Sequence, residues 1–172
     1  MTMRSFFQLT GLMIVTLILS SCAFHLREQA DMPFKTLYLE TENPKTLFIA
    51  DIRRSLEANN LQLVNSAAQA DVVLKIIFER PDKQILTLGG DGRVNEFRLS
   101  YKISLRAYDL KQHDWMPAEE IYLYRDFSYD DTILLAKESE EALLYQNMRS
   151  DMVQQIVRRL SRAKPQKQSQ LQ

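Results

Sequence analysis

The sequence predicts an α+β fold: a two-layer sandwich in which two helices cover one face of a mixed, mostly antiparallel sheet of about four strands. Three observations carry this prediction. Phe97, Leu99, Tyr101, Ile103, Leu105 and Ala107 alternate with Arg98, Ser100, Lys102, Ser104, Arg106 and Tyr108, the period-two pattern of a strand with one dry face and one wet face. Leu144, Met148, Met152, Ile156 and Leu160 climb in steps of four, the stripe of an amphipathic helix. A strand and a helix precede the antiparallel run, so the order is strand, helix, several strands, helix.

Taken in order, Thr36 to Glu40 reads as a short strand with Leu37 and Leu39 on one face. Asn43-Pro44 reads as a helix start, with Asn as the cap and Pro in the first turn. Phe48, Ile49, Ile52 and Leu56 then mark an amphipathic helix over Lys45 to Ala58, ended by Asn59-Asn60. Leu61 to Val64 is a short strand or the approach to one. Val72, Leu74, Ile76 and Phe78 share one strand face, and Pro81-Asp82 breaks the pattern before Gln84 to Leu88 resumes it. Gly89-Gly90-Asp91-Gly92 holds three of the four glycines and reads as a turn of positive-φ positions. A phosphate-binding loop is the sharper alternative, but neither the lysine nor the helix it needs follows. His113 to Pro117 reads as a turn and Glu120 to Tyr129 as a strand, with Arg125 interrupting the apolar set Ile121, Leu123, Phe127 and Tyr129. Asp131 or Thr132 caps a final helix from Ile133 to Arg162, and Lys137 to Glu141 forms a solvated stretch of it.

Composition narrows the chemistry. The 172 residues carry 22 basic and 22 acidic side chains, which gives no basic excess for nucleic acid. Two histidines, His25 and His113, are too few for a metal or Ser–His constellation, and no acid/base pair stands out. The chain reads as a non-enzyme without a dissociable cofactor. Arg98, Lys102 and Arg106 lie four residues apart on one strand face, roughly 13 Å from one to the next. Such a row would meet phosphates of a lipid or an acidic partner, or else be neutralised by carboxylates on adjacent strands.

The N-terminus has the layout of an address. Arg4 is the only charge before Cys22, and Leu9 to Leu19 is an apolar stretch too short to span a bilayer comfortably. Leu19-Ser20-Ser21-Cys22 resembles the bacterial lipobox, which implies cleavage before Cys22 and attachment of diacylglycerol and a further acyl chain (such as palmitate) to that residue. Removal of residues 1–21 leaves 151 residues with a net charge of −1. Cys22 is the only cysteine, so the remaining chain forms no internal disulfide. The expected organisation is a signal peptide at 1–21, a lipidated tether at 22–33, a sandwich domain at 34–163 and a disordered polar tail at 164–172. By bacterial sorting rules, Ala23 in place of aspartate directs the product to the outer membrane, on its periplasmic side.

Cys22-Ala23-Phe24-His25-Leu26-Arg27, Arg125-Asp126-Phe127-Ser128-Tyr129-Asp130, Leu135 to Glu140 and Gln155 to Leu160 together resemble the LptE family of lipopolysaccharide-assembly lipoproteins, in order and spacing, over nearly all of 22–162. The resemblance implies a similar sandwich that plugs and helps assemble the outer-membrane β-barrel LptD, and that binds lipopolysaccharide on its way to the outer leaflet. It places a lipopolysaccharide-contacting lysine at Lys137. The family's turn arginine is unmatched, Gly90 standing in its place, and Arg93 is the candidate substitute. Lys137, Arg93, Arg98, Lys102 and Arg106 are therefore the candidate lipopolysaccharide contacts. A lipoprotein adaptor that binds only protein, such as an activator of a cell-wall synthase, is the alternative function.

Overall fold

A computed structural model describes residues 31–166 of the chain. The expected signal peptide, Cys22 with most of its tether, and residues 167–172 lie outside the described residues. The elements are β1 (Thr36–Thr41), α1 (Leu47–Ala58), β2 (Gln62–Leu63), a 3-10 turn (Ala67–Gln69), β3 (Val72–Leu88), β4 (Val94–Tyr108), β5 (Asp114–Ser128), a 3-10 turn (Asp131–Ile133) and α2 (Leu134–Ser161). They form a five-stranded sheet in the order β2-β1-β3-β4-β5. β1 runs parallel to both β2 and β3, while β3, β4 and β5 are antiparallel neighbours. The predicted α+β sandwich is thus observed, with five strands where about four were expected, and the two-residue β2 falls in the Leu61 to Val64 stretch read as a short strand or the approach to one.

The core lies between the sheet and the two helices. Phe48, Ile52 and Leu56 of α1 and Met148, Met152, Ile156 and Leu160 of α2 are fully buried against Leu37, Leu74, Ile103 and Leu105. Each such side chain contributes about 1.5–3 kcal/mol by leaving water. α1 starts later than the Asn43-Pro44 signal suggests, because Thr46 supplies the cap: its hydroxyl accepts the Ile49 N–H at 3.2 Å. At the other end the N–H groups of Asn60 and Leu61 reach the carbonyls of Glu57 and Leu56, with Asn60 at φ 59°. That is a Schellman closure, sealed by the buried pair Leu56 and Leu61.

β3 departs most from expectation. It is one strand of 17 residues that runs straight through Pro81. β1 accompanies β3 only as far as Ile76, so one edge of β3 is open beyond that point and a proline is tolerated there. A bulge between Ile76 and Phe78 leaves Ile77 unpaired and inverts the alternation. Glu79, opposite buried Ile103, therefore takes the helix-side face that the sequence pattern assigned to Phe78. There its carboxylate accepts hydrogen bonds from the Tyr101 hydroxyl and, at 2.6 Å, from the Thr46 hydroxyl. Burial first, and then that bond, push the Tyr101 phenol well above its ordinary range.

Two further boundaries move. The β4–β5 reversal spans Asp109 to His113, not His113 to Pro117. Asp109 collects the N–H groups of Lys111 and His113 at 2.8 and 2.9 Å, and Gln112 sits at φ 63°. Pro117 falls in a bulge of β5, an edge strand, where Met116 pairs with Ala107 and Glu119 with Leu105. The β3–β4 reversal is a tight turn leading into β4, so the glycine stretch is a hairpin, and only Gly92 has a positive φ, +80°. Asp130, rather than Asp131 or Thr132, caps the turn leading into α2. The tail predicted from residue 164 is fastened at its start, where the Gln166 N–H donates to the Asp114 carbonyl at 2.7 Å.

Candidate functional site

The polarity of the strands gives the molecule two ends. The chain joins the sheet at the start of β1, alongside the start of β3. β3 then runs on for another dozen residues past β1, about 40 Å at 3.3 Å per residue. The β3–β4 turn, the end of β5 and the first turns of α2 meet at this far end. The Tyr129 N–H donates to the Asn95 carbonyl at 2.7 Å and holds them together.

Two of the predicted contacts lie at this tip. The Arg93 guanidinium is 3.5 Å from Asp131 across the gap and 3.5 Å from Asp91 in its own turn. The Lys137 ammonium is 2.8 Å from Glu140 and 3.3 Å from the Ser128 hydroxyl. Asp130 lies within the electrostatic reach of both cations. Its carboxyl is held below the usual carboxylate range by hydrogen bonds from the Thr132 hydroxyl and N–H, helped by the charges of Lys137 and Arg93. The two cations differ in access: the Arg93 side chain is 68% exposed and that of Lys137 only 12%. Leu88, Ile133, Leu134 and Leu135 are exposed apolar residues around the same end. The tip thus combines cations with accessible hydrocarbon, the two chemistries of an amphiphile with anionic groups.

Below the tip lies a cluster that sequence reasoning missed. The Lys83 ammonium stands 4.2 Å from the Phe97 ring centroid and pairs with Glu141 of α2. Phe97 stacks with Phe127 at 6.0 Å and meets Tyr129 edge-on at 5.0 Å. The cluster ties three strands to the helix. The Ile77 bulge decides that Lys83 faces α2, and regular alternation alone gave no sign of it.

The other three candidates, Arg98, Lys102 and Arg106, fall on the sheet face away from the helices, as predicted. Each has a carboxylate on β5. Arg98 makes a two-pronged contact with Asp126 at 2.7 and 2.8 Å, Lys102 is 3.5 Å from Glu120, and Arg106 is 2.6 Å from Asp114. Arg98 holds the Asp126 carboxyl below its usual range. Lys75 does the same to Glu40 at 2.7 Å, and Tyr108 adds a bond to Glu40 at 2.9 Å. Arg98 also lies over the Tyr124 ring, 4.6 Å from its centroid. The row is therefore one side of a ladder of opposite charges, separate from the tip. Arg125, which interrupts the apolar pattern of β5, is explained by Asp151 of α2, 2.9 Å away.

Among the described residues there is no group of three or more His, Cys, Asp or Glu side chains arranged to hold a metal, and no helix is long and apolar enough to cross a membrane. His113 is a turn residue beside Asp109 at 3.0 Å.

Comparisons with known proteins agree with the fold. Residues 34–160 match the family model described as LptE, lipopolysaccharide-assembly. The LPS-assembly lipoprotein LptE of Pectobacterium atrosepticum is 29% identical over 155 residues, spanning 86% of this chain and 80% of that protein. Among solved structures, lipoprotein B from Nitrosomonas europaea superposes with a TM-score of 0.69 at 33% identity, covering 80% of this chain and 90% of that one. The rare lipoprotein B from Shewanella oneidensis gives 0.64 at 25% identity, covering 72% and 92%.

Proposed function

Because this chain belongs to the LptE family of lipopolysaccharide-assembly lipoproteins, we propose that it is a lipid-anchored outer-membrane subunit that plugs and helps assemble the LptD β-barrel and presents its far end to lipopolysaccharide. Acyl chains on Cys22 hold it to the periplasmic side of the membrane, and its role is binding and scaffolding rather than a reaction. The observation that carries the lipopolysaccharide part is the tip itself. Arg93, paired with Asp131, and Lys137, bonded to Ser128, stand at the same end as the exposed Leu88, Ile133, Leu134 and Leu135. Cations there meet the phosphates of lipid A and core sugar, and the leucines meet hydrocarbon. A phosphate reaching Lys137 displaces Glu140, exchanging one charge-assisted contact for another. The charge ladder on the open sheet face is already neutralised, and it suits a water-lined barrel lumen better than an anionic lipid.

The test is affinity purification of the tagged full-length protein from detergent-solubilised outer membranes. A stoichiometric large β-barrel is the expected partner. Recovery of a periplasmic cell-wall synthase without a barrel would replace this reading with the adaptor.

A further inference from the structure

At the end opposite the tip, the start of β5 and the last turns of α2 border an open cavity of about 580 Å³ lined by Trp115, Pro117, Glu119, Arg158, Arg159 and Arg162. Arg159 is held by Glu119 at 2.6 Å. Arg158 and Arg162 are exposed and have no carboxylate or hydrogen-bond partner for their guanidinium groups among the described residues. That sets them apart from Arg93, Arg98, Lys102, Arg106 and Lys137, all of which are paired. The indole Nε1 of Trp115 is buried and also lacks a hydrogen-bond partner among the described residues. The dipole of α2 favours cations at its C-terminus. It does not account for a cavity and an unpartnered indole beside them.

The position of this cavity bears on its occupant. Phe34, where the chain joins the domain, packs edge-on against Trp115 with ring centroids 5.4 Å apart. Cys22 is twelve residues upstream of Phe34, at most about 40 Å of extended chain. On the anchoring reading given above, this end of the domain is the one tethered to the membrane.

We propose that the Trp115–Arg158–Arg162 cavity is a headgroup site for an anionic phospholipid of the anchoring membrane. The two guanidinium groups grip the phosphodiester, and Trp115 sits at the apolar–polar boundary that suits its ring. Contacts at both ends of the molecule then fix its orientation, which attachment at Cys22 alone would not.

Trp115 is the only tryptophan in the chain, so its emission reports on this site without a label. Full-length protein in dodecyl maltoside micelles is titrated with phosphatidylglycerol, with phosphatidylcholine and with inorganic phosphate. The expected result is a saturable emission change with phosphatidylglycerol alone. Its midpoint should weaken at least about tenfold in the R158Q/R162Q double variant, stay unchanged in R53Q, which removes an exposed α1 arginine outside the lining, and rise steeply with salt. No response to phosphatidylglycerol, an equal midpoint in the double variant, or salt independence in the wild type would overturn the proposal. An equivalent response to inorganic phosphate would overturn it in favour of a free-anion site. The intact mass of the same preparation reports acylation of Cys22 separately, so a failure of the anchoring reading is distinguishable from a failure of the headgroup site.

Discussion

The two halves of β3 are built on different physics. From Val72 to Ile76 the strand is flanked by β1 and β4 and covered by helix, and four of its five residues are buried. From Ile77 to Leu88 it has β4 on one side only, and none of its residues is buried. The first half is held by apolar burial. The second half is a ribbon held by its ladder, by the Lys83–aromatic cluster and by ion pairs, and it leaves Ile85 and Leu88 in water. The proximal half specifies the fold and the distal half is free to specify a partner. The exposed apolar side chains there contribute little to the isolated domain, and the proposed amphiphilic ligand would give them a role.

Four variants sharpen or break that contrast. Leu74→Ala, in the proximal core, should lower unfolding free energy by about 2–5 kcal/mol, measured by urea denaturation. A loss as small as that of a surface site would mean that the helix-covered half is not the stabilising one. Thr46→Ala, at the boundary, removes both the α1 cap and the bond to Glu79, and should lose about 1–2 kcal/mol by the same assay.

The charge ladder gives a pH dependence. Glu40 and Asp126 have folded-state pKa values below their unfolded ones, owing first to the bonds from Lys75 and Arg98. Their stabilisation is therefore present above about pH 4.5 and lost as the pH falls through the folded values. The melting temperature should decline on acidification below that point, and the decline should be shallower in K75Q/R98Q. A decline of equal steepness in that variant would show that the ladder contributes nothing. Smallest of all, Leu88→Ser at the tip should change stability by less than about 0.5 kcal/mol. A larger loss would mean that Leu88 is part of the fold after all.

Regular periodicity made the proximal half legible. The stripes on α1, β4 and α2 each place their apolar residues where the core is, because burial there enforces strict alternation or four-residue steps. The departures cluster where a backbone irregularity resets the phase. The bulge at Ile77 hides the inward turn of Glu79 and Lys83, and open edges let Pro81 and Pro117 sit inside strands that the sequence appeared to break. The candidate site was legible in part. Lys137 and Arg93 reach the same end of the molecule although 44 positions separate them, which their spacing alone does not announce. The row Arg98, Lys102 and Arg106 was legible as a row, but its carboxylate partners follow from the β4–β5 register, which the misplaced β5 start obscured.

The most direct test of the proposed role of the tip is lipopolysaccharide binding by the full-length protein in detergent, comparing R93E/K137E with R98E/K102E. The account predicts that R93E/K137E weakens binding at least about tenfold with an unchanged melting temperature, because charge-assisted phosphate contacts become repulsions, while R98E/K102E binds as the wild type does. Binding that survives R93E/K137E but is lost in R98E/K102E would contradict it and move the lipid to the open face of the sheet.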